Sequence, residues 1–217
     1  MRIIDFSQPV FHECPNCPTH PMVTVEIVAD HKWDDWRLEK ITMSSHTGSH
    51  VKVPLHLLPD GKSVDEFPLE VFIGQAVVAD LRDVPAVEAL TGGHLKRRLP
   101  DDLKDKIVLL MTGWGAKRAP NREWFYFSPF LAPSGAEWLV GHGVRAVGID
   151  HYSIGGAREP ENSQTHRILL EAGLWIVEEL NLPEEILDEQ QPFEFWSLPV
   201  NLKGFTGSFC RPVAVIR

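Results

Sequence analysis

The sequence predicts an α/β fold on a mixed sheet, and three observations carry that expectation. Lys106–Thr112 (KIVLLMT) is a continuous apolar run of strand length, the pattern of a strand covered on both faces. Val144–Asp150 (VRAVGID) is a second such run, and it ends in a carboxylate. Between them Ser134 offers an N-cap, and Gly135–Gly141 carries helical apolar spacing closed by glycine, which completes a βαβ unit.

The remaining elements follow in order. Arg2–Phe6 reads as a short first strand, and Met22–Ala29 alternates well enough for a second. Leu38–Ser45 is expected to be a strand that runs directly into a histidine-rich segment. Asp60-Gly61 marks a turn, and Gln75–Leu81, rich in Ala and Val, a buried strand. Leu90–Arg98 is expected to be helical, with Gly92-Gly93 weakening its start. Ser163 or Thr165 caps a helix reaching Glu171, with His166 near its beginning. Leu174–Leu180 is a strand ending in acidic residues, and Phe193–Val200 and Pro212–Arg217 supply two more. With no repeat, low-complexity tract or linker, residues 1–217 are expected to form one domain.

A chain of 217 residues, 43% hydrophobic, buries one sizeable core without a second domain. Its net charge of -9 argues against nucleic acid or an anionic membrane as partner, since either would repel it. The N-terminus MRIIDFSQPV lacks the apolar core of a signal peptide, and no apolar run approaches a membrane span. Three cysteines, an odd number, make no disulfide framework and fit a cytoplasmic location.

The segment His46-Thr47-Gly48-Ser49-His50-Val51-Lys52-Val53-Pro54-Leu55-His56 concentrates three imidazoles, the commonest neutral metal ligand and general base. On a straight strand His46 and His50 would lie roughly 13 Å apart, too far to share an ion. A bend at Gly48 lets them converge. Pro54 excludes continued helix and makes Val53 extended, so His56 arrives from another direction. The expectation is a folded-back loop presenting His46 and His50, with His56 as their neighbour.

This segment resembles the H-x-G-T-H-x-D-x-P-x-H signature of the cyclase-like metal-dependent hydrolases, the family that includes bacterial kynurenine formamidase and isatin hydrolase. His46, Gly48, His50, Pro54 and His56 match, and Ser49 replaces Thr. The resemblance extends over Asp5–Pro9, Thr112-Gly113-Trp114, Gly148-Ile149-Asp150 and Leu198–Arg217, essentially the whole chain, although only the histidine segment is highly specific. It implies a swivelling β/β/α domain. It also implies that His166, and Glu178 twelve residues later, complete a metal cluster with His46 and His50. Taken alone, His166 could equally be a surface helix residue, and Glu178-Glu179 a solvated pair. The implied activity is metal-assisted hydrolysis of a small amide, lactone or cyclic amide, with Zn²⁺ or Mn²⁺ and with His56 shuttling the proton. The implied assembly is a homodimer or homotetramer.

Lys52 departs from the pattern, standing where the family has its metal-binding Asp. An ammonium about 4 Å from a cation costs on the order of 4 kcal/mol per unit of metal charge at an effective dielectric of 20. Three arrangements remain open: an ammonium replacing one cation and leaving at most one metal per chain, a lysine turned away from a metal-poor site, and a bridging carbamate. The competing function is a family-like scaffold that binds a small anionic ligand with Lys52 as counter-charge. A further possibility uses Lys52 as a metal-free acid/base or Schiff-base group.

His12, Cys14, Cys17 and His20 could form a compact zinc site or a redox pair, but prolines at 9, 15, 18 and 21 favour an ordinary rigid loop. Most of the seven tryptophans are expected in the core or an interface, with Trp114 near a pocket. His31, His94, His142 and His151 read as structural or solvated. Asp150 is expected to cap or orient a neighbouring loop.

Overall fold

The computed structural model describes residues 1–217. In chain order the strands are β1 Arg2–Asp5, β2 Thr24–Ala29, β3 Leu38–Thr42, β4 His50–Lys52, β5 Ile73–Asp80, β6 Ala89–Leu90, β7 Ile107–Met111, β8 Phe130–Leu131, β9 Ala146–Ile149, β10 Trp175–Glu178, β11 Phe193–Trp196, β12 Gly207–Phe209 and β13 Val213–Ile216. The α-helices are α1 His31–Asp34, α2 Gly92–Lys96, α3 Arg122–Tyr126, α4 Pro133–Gly141 and α5 Glu161–Glu171. None is long and apolar enough to cross a membrane.

Nine strands form one curled mixed sheet in the order β1-β13-β11-β5-β7-β9-β10-β4-β12. The four central strands β5, β7, β9 and β10 run parallel, and every outer pairing is antiparallel. The two apolar runs that announce the fold are the buried strands β7 and β9. Period two divides β7 between two cores: Ile107, Leu109 and Met111 face one, Val108 and Leu110 the other. The second core is roofed by α2, α4 and α5 through Leu95, Ala136, Leu139 and Leu169. The first is gripped by the curl of the sheet, since Val51 of β4 and Ala214 of β13 both enter it.

Several element boundaries differ from expectation. Helix α4 starts at Pro133 behind Ala132, because proline is preorganised for the first helical position and needs no N–H there. Ser134 is therefore inside the helix. Helix α5 begins at Glu161, and Ser163 does not cap it. The Glu159 carboxylate takes that role, accepting from the Ser163 amide at 3.1 Å and its hydroxyl at 2.6 Å. The expected helix Leu90–Arg98 is shortened to α2 after the two-residue strand β6, with Thr91 and His94 forming its capping box. Gly92 serves close packing here, since a Cβ would come within 2.7 Å of the Trp138 ring. The histidine segment, expected as loop, contains β4, bonded on one side to β10 and on the other to β12. Three alternating residues are too short a pattern to read as a strand.

Candidate active site

The carboxyl ends of parallel strands are where an open α/β sheet offers its loops to a ligand. Glu178 is the last residue of β10 and pairs in register with His50 of β4. Period two along β4 puts Lys52 on the same face as His50 and sends Val51 into the core. A carboxylate, an imidazole and an ammonium are thereby set side by side by strand register alone.

The preceding turn brings in His46. Gly48 has φ 62°, a left-handed conformation, and a Cβ there would meet Val10 at 2.6 Å. The reversal puts the His46 and His50 rings 5.1 Å apart, nearly perpendicular. Val53 is extended (φ -124°, ψ 167°), and Pro54–His56 form a 3₁₀ turn. That turn returns His56 to 4.6 Å from His46 and 6.1 Å from His166, between ring centroids. Helix α5 supplies His166, whose Nδ1 donates to the Asn162 carbonyl at 2.9 Å and so presents Nε2 to the site.

Glu178 is the centre of the cluster. Its Oε1 accepts from the Ile154 amide at 2.7 Å and lies 3.1 Å from His166 Nε2. Its Oε2 lies 2.7 Å from Lys52 Nζ and 3.3 Å from His50 Nε2. Lys52 Nζ is also 3.2 Å from His166 Nε2. Two lone-pair groups 3.1 Å apart repel unless a proton or a cation serves both. The ammonium does so here. Burial works to raise the Glu178 carboxyl, but the Lys52 charge beside it, with the His166 and His50 rings, outweighs burial and holds the group well below the usual carboxylate range. Burial, followed by the Lys52 charge, pushes His56 down to about 3 and also lowers His20. Burial, with the neighbouring His50 and Lys52 adding to it, lowers His46 far below the ordinary imidazole range.

The site also holds lone pairs that no hydrogen bond uses. His50 Nδ1 donates to the Gly48 carbonyl at 2.8 Å, so in the neutral ring Nε2 is the acceptor, and it is buried without a hydrogen bond. His46 Nδ1 and His20 Nδ1 are also buried without a hydrogen bond, and Glu178 Oε2 faces only the Lys52 ammonium and the His50 ring. Imidazole nitrogens and carboxylate oxygens are the donor types that suit a divalent cation. As they stand, no three His, Cys, Asp or Glu side chains close around a single point. Lys52 Nζ stands among them on the same carboxylate.

A cavity of about 230 Å³ opens above the cluster, with His20, Lys52, His56, Tyr152, Ser153 and His166 in its wall. A larger depression of about 450 Å³, between Gln75, Phe193 and Arg217, contains no histidine. The Pro-rich loop over the site is fastened by Arg118. Its guanidinium donates to the carbonyls of Pro9 and Pro15 at 2.7 and 2.6 Å, and pairs with the fully buried Glu179 at 3.0 Å.

The structure brings His46, His50, Lys52, His56, His166 and Glu178 into this one site. It adds residues that no local pattern marks: His20, whose ring is 6.2 Å from His46, and Thr206, whose hydroxyl is 2.8 Å from His46 Nε2. His20 was readable only within the His12-Cys14-Cys17-His20 group, which does not assemble. His12 is exposed and accepts from the Val25 amide, Cys14 is buried, and all three cysteines are free. Trp114 does not reach the cavity: it packs behind with Trp124 and Tyr152, and Tyr152 is the aromatic in the wall. His151 is buried between Ser128 and the Trp124 carbonyl, and Asp150 accepts from Thr112 and the Gly113 amide.

Comparison with known proteins places this geometry. The Cyclase family model matches residues 4–155. The chain is 28% identical over 217 residues to the kynurenine formamidase of Bacillus cytotoxicus, covering 99% of this chain and 96% of that protein. Among solved structures, isatin hydrolase A from Labrenzia aggregata, bound to benzyl benzoate, superposes with a TM-score of 0.82 at 24% identity, covering 98% of this chain and 93% of that one. Isatin hydrolase A from Ralstonia solanacearum gives 0.84 at 22% identity, covering 100% and 92%. Another neighbour, described as a potential metal-dependent hydrolase with cyclase activity, has a TM-score of 0.79 at 24% identity, covering 98% of this chain and 96% of that one.

Proposed function

Because the chain belongs to the Cyclase family, we propose that it hydrolyses a small amide, lactone or cyclic amide in the cavity above Lys52, His56 and His166. The observation that carries this reading is the convergence of His46, His50, His56 and His166, from three separate elements, around one buried carboxylate.

In this reading His46, His50, His166 and Glu178 hold a single divalent ion, Zn²⁺ or Mn²⁺, which an imidazole-rich set with one carboxylate suits. When bound, such an ion supplies Lewis acidity toward a carbonyl and makes water more acidic. The rest is the work of the chain. Lys52 has three N–H donors; Glu178 engages one, and with His166 Nε2 on the ion the others are left for the cavity that Lys52 lines. There it stabilises negative charge growing on a substrate oxygen. His56, kept unprotonated by burial, accepts the proton of the attacking water and passes it to the leaving nitrogen or oxygen. The scaffold reading, with Lys52 as counter-charge for an anionic ligand, is less well supported, because Glu178 already balances the ammonium at 2.7 Å. Three free thiols suit a reducing compartment, and the cytoplasm is the location we propose.

The test is hydrolysis of an aryl formamide, a lactone and a cyclic amide, with and without added Zn²⁺ or Mn²⁺. Turnover of at least one is expected. His56→Ala should lose roughly 10²–10⁴-fold in kcat, and His50→Ala should lose both activity and retained metal. Full activity in both variants would remove the histidine segment from the chemistry. Absence of turnover under all conditions would overturn the hydrolase reading.

A further inference from the structure

Lys52, His56 and His166 account for the floor of the cavity, and its outer wall has a chemistry of its own. Only Cys17, Leu57 and Tyr152 are apolar among the residues that line it. Tyr152 shows its ring there, because its hydroxyl donates to the Phe125 carbonyl at 2.7 Å. The remaining wall is polar, and its hydrogen bonds run one way. Ser153 Oγ donates to Asn162 Oδ1 at 2.8 Å, and Asn162 Nδ2 reaches toward Glu159 Oε1 at 3.4 Å. Ser163 gives its amide and its hydroxyl to Glu159 Oε2. The series ends on Glu159, a carboxylate at the exposed rim. The Ser163 bonds hold its carboxyl below the usual carboxylate range, so it is ionised at neutral pH. Its partners are neutral donors and no cation, and Oε1 has only the long contact to Asn162.

Resting on the hydrolysis proposed for this cavity, we infer that its substrate is a small amide or lactone carrying a protonated amine, which Glu159 binds. Floor and rim differ in charge balance. At the buried floor the Lys52 ammonium is matched by Glu178 at 2.7 Å. At the rim the Glu159 charge has no opposite charge beside it. A hydrogen bond between ammonium and carboxylate is about twice as strong as a neutral one. The exposed position also keeps the cost of desolvating the amine small, since water still reaches its other N–H groups. A hydroxyl in that place bonds to Glu159 without charge pairing, and an acid there is repelled. The Pro-rich loop contributes Thr19 and His20 to the wall and no phenyl or indole ring, so nothing on that side favours a flat apolar ligand. The net charge of -9 draws a cation toward the chain at long range.

Matched probes test the inference at a pH where the amine is protonated. α-Amino-γ-butyrolactone and γ-butyrolactone differ by one amine and report on turnover. α-Amino-γ-butyrolactam and γ-butyrolactam report on binding by calorimetry, with no need for hydrolysis. Both kcat/KM and affinity should favour the aminated member by roughly tenfold, and Glu159→Gln should bring both ratios close to one. Glutamine keeps an acceptor for Ser163 and so preserves the start of α5, which circular dichroism checks. Glu159→Lys should reverse the order, with pyroglutamate, a carboxylated lactam, bound in preference to the aminated one. A preference in binding without turnover of either lactone supports the amine site and counts against the hydrolase reading. Equal treatment of aminated and plain members would overturn the inference. So would α-hydroxy-γ-butyrolactone turned over as well as the amine, or an amine preference that persists in both variants.

Discussion

Lys52 brings a positive charge to a place where its neighbours are the natural partners of a cation, and in the proposed function this single residue sets how many ions the site holds. Lys52→Asp removes the ammonium from Glu178 and supplies a carboxylate donor on the same strand face. Elemental analysis of that variant is expected to find two divalent ions per chain against at most one in the unaltered protein. Lys52→Met instead leaves Glu178 buried without its counter-charge. It should cost about 3–5 kcal/mol in urea unfolding, the usual consequence of breaking a buried pair on one side. Gly48→Ala tests the bend. The left-handed φ costs roughly 1–2 kcal/mol with a side chain, and the Cβ strikes Val10. Activity should fall much further than stability, because the His46 and His50 rings lose their relative placement.

At the scale of elements, the loop from Pro9 to Pro21 has its shape because Arg118 holds two of its carbonyls while paired with Glu179. Arg118→Met is expected to expose residues 9–21 to limited proteolysis and to lower stability by about 3 kcal/mol. The substrate KM should rise more than kcat falls, since His20 and Thr19 leave the cavity wall. The central strands were legible in the sequence because burial on both faces writes an uninterrupted apolar run. Helix α5 and Glu178 were legible as site elements only through resemblance, since a histidine on a helix and two adjacent acids have no distinctive local pattern. β4 and β12 were not legible. Each is three residues long, and each exists because a neighbouring strand offers an edge. Thr206 and His20 reach the site through tertiary placement, which spacing along the chain does not encode. Trp33 and Trp36 read as core or interface because large aromatics are ordinarily buried, and the single chain leaves them outside.

For the whole molecule, acid is the revealing perturbant. His151 is fully buried, and burial brings its pKa down to about 4. In the unfolded chain an ordinary histidine titrates near ~6.5. The unfolded state therefore binds a proton that the native state refuses. The stability contributed by the uncharged ring is complete above pH ~6.5 and is lost as pH falls toward 4, by up to about 3 kcal/mol. Urea titrations between pH 7 and 4.5 should show this slope, and His151→Gln should flatten it by close to one proton. An unchanged slope would assign the acid sensitivity to other groups.

The register that sets β4 between β10 and β12 has a consequence during synthesis. Lys52 meets His166 across 114 residues of chain, and His46 meets Thr206 across 160. Contacts of such range are slow to form. While the polypeptide is being made, the histidine segment emerges long before the strand carrying Glu178, so its imidazoles and ammonium wait in solvent without their carboxylate. A chain stopped before residue 178 has most of the reactive groups and none of the site. Competence for chemistry and completion of the sheet thus arrive together, with the last strands of the chain.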